Sequence, residues 1–66
     1  MSIINKVFFV ENMSESEAEN IKILLETNTR VDFTINPSTQ SIAIKASNDD
    51  IFTTKQLLKS EGYSIL

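Results

Sequence analysis

The chain has 66 residues, and its nine Asp and Glu against six Lys and Arg leave a net charge of −3 at pH 7. It holds no cysteine and no histidine, which excludes disulfide staples, thiolate metal sites and the usual general base near neutral pH. The acidic balance disfavours nucleic acid and anionic membrane surfaces as partners.

Residues 3–10 are apolar and β-prone around Val7-Phe8-Phe9-Val10, and they predict a first strand. Helix-start chemistry follows at residues 12–16. Ser14 with Glu17 has the capping-box spacing, and Ser16 with Glu19 repeats it in a second frame. Ala18, Ile21, Leu24 and Leu25 then share one helical face, while Ile23 points away from it. Good helix formers give way at Thr27, Asn28 and Thr29, where the helix should end. Val31, Phe33 and Ile35 alternate with Asp32 and Thr34, the pattern of a strand with one buried face. Residues 36–40 form a turn cluster in which Pro37 stops the ladder. Ile42 and Ile44, alternating with Ala43 and Lys45, supply the second arm of a hairpin. Ser47 opens a second helix with Ile51, Thr54 and Leu58 on its inner face, and Gly62 is placed for a left-handed cap. Residues 63–66 predict a short last strand.

The order β-α-β-β-α-β, with right-handed crossovers, predicts an α+β fold of ferredoxin-like type. Its four-stranded antiparallel sheet would carry both helices on one face, with the first strand between the third and the fourth. One domain spanning residues 1–66 is expected from the length. The apolar runs fall far short of the ~20 residues that span a bilayer, and no secretory signal is visible. Membrane insertion is therefore not expected, and the chain is placed in the cytoplasm.

Lys6-Val7-Phe8-Phe9-Val10-Glu11-Asn12-Met13, Asn36-Pro37-Ser38-Thr39-Gln40-Ser41-Ile42-Ala43-Ile44 and Lys59-Ser60-Glu61-Gly62-Tyr63-Ser64-Ile65 resemble three segments of one family. They are similar to the first strand and metal loop, the hairpin, and the final Lys-x-x-Gly-Tyr-x-Val stretch of heavy-metal-associated domains. Those are the copper-chaperone-like modules of metal-transport ATPases and small metallochaperones. The resemblance covers nearly the whole chain and implies their fold and a metal-trafficking context. Their Met-x-Cys-x-x-Cys motif holds a soft metal such as Cu(I) through two thiolates. Met13 matches the methionine. The cysteine positions hold Glu15 and Ala18 when counted from Met13, and Ser14 and Glu17 when counted back from Ile21. Neither alignment keeps a thiol, and soft d¹⁰ metals select sulfur donors. The loop Met13, Ser14, Glu15, Glu17 and Ala18 is thus a degenerate form of the site, at which no metal and no cofactor is expected. Tyr63 matches the aromatic that closes beside the metal loop in bacterial members.

Met13 is then expected to pack under the first helix as a hydrophobic staple. Glu11, Glu15, Glu17 and Glu19 lie where a helix dipole favours acids, and a weak site for a hard cation or a basic partner stays open there. Enzymatic activity is not expected, because Ser14 and Ser16 have no histidine to activate them and the carboxylates lie on an exposed loop. RNA binding needs aromatics on the third strand, and residues 41–46 have none. Strand alternation puts Phe8, Val10, Phe33, Ile35, Ile42 and Ile44 towards the helices, and Val7, Phe9, Ala43 and Leu66 outside. Val7, Phe9 and Ala43 read as a contact surface for a protein partner or a homodimer, with Glu15 and Glu17 setting partner choice by charge. Three functions follow. The first is a protein-interaction or regulatory module that has lost its metal site. The second is a weak metal-binding or metallochaperone-like role through the Met13 loop and its carboxylates. The third is a small-ligand regulatory domain.

Overall fold

In a computed structural model that describes residues 2–66, Ser14 and Ser47 open the two helices, while Ser16, the second capping frame, lies inside the first helix. Ser14 caps α1 (Glu15–Asn28), its Oγ accepting the Glu17 backbone N–H at 3.2 Å. Ser47 caps α2 (Asn48–Ser60) in the same way, accepting from Asp50 at 3.3 Å. Each bond satisfies an N–H that the helix cannot pair internally, and Asp or Glu in the first turn adds a favourable charge at the dipole. At the far end of α2, Gly62 takes φ +93°. Its N–H reaches the Lys59 carbonyl at 3.0 Å and that of Tyr63 reaches Leu58 at 3.1 Å, the paired bonds of a Schellman cap.

The strands β1 (Ile4–Phe9), β2 (Asp32–Asn36) and β3 (Ser41–Ala46) form an antiparallel sheet in the order β1-β3-β2. Phe8 and Ile35 lie opposite Ile42 on either side, and Lys6 and Phe33 lie opposite Ile44. Partners across a ladder share a face. Phe8, Ile42 and Ile44 therefore point together into the core, where they meet Ile21 and Leu25 of α1 and Ile51 and Leu58 of α2. Both helices thus cover the same face of the sheet. Burying each Ile, Leu or Phe contributes roughly 1.5–3 kcal/mol, and this one cluster holds the fold together. Thr54 is buried with it, and its hydroxyl donates to the Asp50 carbonyl at 2.8 Å, so no orphan polar group results.

The predicted fourth strand is not formed. Residues 63–66 make one isolated antiparallel bridge, Val10 to Ile65. It is flanked by bonds from Glu11 N–H to the Ser64 carbonyl (2.9 Å) and from Leu66 N–H to the Phe9 carbonyl (2.8 Å). The Schellman cap is the physical reason. It holds the chain to the end of α2 as far as Tyr63, so the bonds to the first strand come from Ser64 and Leu66 alone. The fold is α+β with two helices and a three-stranded antiparallel sheet. No helix among the described residues is long and apolar enough to cross a membrane.

Candidate functional site

Asn12 turns the chain out of the sheet at φ +59°, a left-handed conformation that Asn tolerates better than most residues. Met13 then drops into the core, 3% exposed, together with Ala18 at 7%. Met13 stands immediately before the N-cap and Ala18 at the fourth helical position, the pairing of a hydrophobic staple. Of the five residues expected to form a degenerate metal loop, Met13 and Ala18 are therefore buried and Ser14 is engaged in the cap. Glu15 is exposed and Glu17 is half-buried at the helix entry. Among the described residues, no three acidic side chains converge as metal ligands.

Tyr63 packs against the core and lines a groove along α1 with Asn20, Leu24 and Glu61. Burial pushes its phenol above the ordinary value of 10.0, and the Glu17 and Glu61 carboxylates push it further in the same direction.

The opposite face of the sheet carries a different surface. Val7 is 51% exposed and Phe9 50%. Val7 stands opposite Ala43, itself exposed, and Phe9 opposite Ser41. The antiparallel bridge sets Leu66, 77% exposed, on the other side of Phe9. No helix among the described residues covers these side chains, which face outward as strand alternation predicts. Glu15 and Glu17 do not join them. Both belong to α1 on the covered side, where Glu15 lines a groove with Phe33, Ile35 and Pro37. The expected contact residues Val7, Phe9 and Ala43 share the open face, and the acids expected to set partner choice, Glu15 and Glu17, lie on the covered side.

Two features are not evident in the sequence reading. Phe52 of α2 is 61% exposed, and beside it the Lys55 Nζ stands 5.9 Å from the centre of the Phe8 ring, a cation–π distance. The signal in the sequence is an aromatic one position off the inner face, next to Ile51. The second is a polar groove of about 490 Å³ between the end of α1 and the start of α2, lined by Thr27, Thr29, Arg30, Asp50 and Thr53 among others.

Comparison with family models, with curated proteins and with solved structures found no match to this chain.

Proposed function

We propose that this protein is a non-catalytic interaction module, a domain of heavy-metal-associated type whose metal loop has become a packed helix entry. Its contact surface is the open face of the sheet, centred on Phe9. The observation that carries this reading is the pair Val7 and Phe9, each about half exposed on one strand face with Ala43 and Leu66 around them. An aromatic near the middle of such a patch is the kind of residue that dominates interface energy, often by more than ~2 kcal/mol.

The strand order β1-β3-β2, with the C-terminal segment bridged to the outer side of β1, supports a ferredoxin-like arrangement. The buried Met13 and the capping Ser14 support the loss of the soft-metal role. Fold does not carry activity by itself, and here the residues that carry it in the resembling family are replaced.

The experiment is Phe9→Ser. The variant should lose the protein contact made by the wild-type domain, whether with a partner or face to face with a second copy, while its thermal midpoint stays within a few degrees. Unchanged binding would reject this face as the contact surface.

A further inference from the structure

The Val10 N–H donates to the Gln40 carbonyl at 2.8 Å, which fixes the hydrogen-bonding parity of the sheet. Even-numbered residues of β1 and β3 bond one another, odd residues of β3 bond even residues of β2, and the outward backbone groups are then Phe33 and Ile35 on one edge. On the other edge they are Asn5 and Val7, because the C-terminal bridge engages only Phe9 and Glu11. Beside each free edge runs a groove under a helix. The groove along β2 measures about 520 Å³ and sets Glu15, Glu19 and Lys22 around Ala18, Phe33 and Ile35. The groove along β1 measures about 430 Å³ and sets Lys6, Lys55 and Asp49 around Phe8, Ile51 and Phe52. One is apolar with a net negative rim, the other apolar with a net positive rim.

We propose that a second copy of this chain occupies these edges, β1 of one molecule pairing with β2 of the next, head to tail. Each edge rejects its own kind. Two β1 edges joined antiparallel over residues 4–8 would set Lys6 opposite its copy, and two β2 edges would bring the acids of α1 together. Like charges placed opposite each other destabilise a sheet. Head-to-tail pairing instead sets Lys6 and Lys55 against Glu15 and Glu19. The heights agree as well. Phe8, Ile42 and Ile35 form one row across the sheet, and Lys55 stands over Phe8. A sideways step of one molecule therefore brings Lys55 level with Ile35 of its neighbour, the residue that shares its groove with Glu15 and Glu19. Lys6 is the sort of edge lysine that deters indiscriminate pairing, and here it selects an acidic edge. β1 and β2 are both antiparallel to β3, so the joint is a parallel pair, and the contact does not close on itself. The Val7 and Phe9 side chains stay exposed, so this association is independent of the open-face reading.

Sedimentation over a concentration series reaching the millimolar range, at low salt, tests it. The mean mass of the wild-type chain should climb past that of a dimer, and added salt should reverse the rise. Glu15→Lys/Glu19→Lys and Lys6→Glu/Lys55→Glu should each need at least ~10-fold higher concentration for the same mass, about 1.4 kcal/mol per joint. An equimolar mixture of the two should restore association, because every edge then meets its opposite. Circular dichroism checks that both fold, and the milder Glu19→Gln/Lys6→Gln should give a smaller loss in the same direction if either does not. Phe9→Ser should leave the salt-reversible growth past the dimer in place, whatever it does to a contact across the open face. A wild-type chain that stays monomeric, a mass that levels at the dimer, or charge variants that associate like wild type would each overturn the proposal.

Discussion

The Ser14 hydroxyl accepts the Glu17 backbone N–H at 3.2 Å, joining the two positions that one alignment gives to the thiols of heavy-metal-associated domains. On that alignment, a helix cap would stand where the resembling family holds its soft metal. No Cu(I) affinity tighter than roughly micromolar is expected, since oxygen donors compete poorly for soft ions. Ser14→Cys/Glu17→Cys should bring tight binding back. Glu15→Cys/Ala18→Cys should not, because Ala18 is buried in the core. Titration against a chelator under reducing conditions separates these outcomes.

Two positions on α1, only two residues apart, should respond very differently to truncation. Leu25 is fully buried and Ile23 is 54% exposed. Leu25→Ala should cost about 2–5 kcal/mol in chemical denaturation, enough to unfold much of so small a domain. Ile23→Ala should stay within about 0.5 kcal/mol. Equal losses at the two sites would mean that the helix faces the sheet in another register.

Gly62 holds φ +93°, and a Cβ added there would meet nothing within 4 Å. Gly62→Ala should therefore destabilise through backbone strain alone, by about 1 kcal/mol. Thermal unfolding should show a lowered midpoint with an unchanged far-ultraviolet spectrum.

Tyr63 gives the fold an alkaline limit. Its phenol titrates above 10.0 in the folded chain, chiefly through burial and then through Glu17 and Glu61. Between the unfolded and folded values the native state binds more protons than the unfolded state. The contribution of Tyr63 is therefore whole below pH 10.0 and is lost as pH rises through the folded value. Glu17→Gln should lower the tyrosinate midpoint in an ultraviolet titration. No movement would place Glu17 away from the ring.

Much of this architecture is written locally. Ser14 and Ser47 mark the helix starts, the Val31-Phe33-Ile35 alternation marks β2, and Gly62 marks a C-cap, because each depends on residues within one turn of itself. The failed fourth strand depends on a contest between the local C-cap at Leu58 and the distant first strand, which periodicity does not weigh. The separation of Glu15 and Glu17 from Phe9 likewise needs the side on which α1 crosses the sheet. The charged grooves beside the free edges need the full strand register. Outward placement of Val7 and Phe9 was legible, since alternation along one strand fixes it.

The most direct test of the interaction reading is a paired measurement on Phe9→Ser: retention of binding proteins by the immobilised domain, and its thermal midpoint. A surface aromatic that makes the contact predicts that retention falls at least ~10-fold while the midpoint holds, a loss of about 1.4 kcal/mol or more in binding alone. Retention equal to wild type, or a midpoint that collapses as for a core residue, would contradict it.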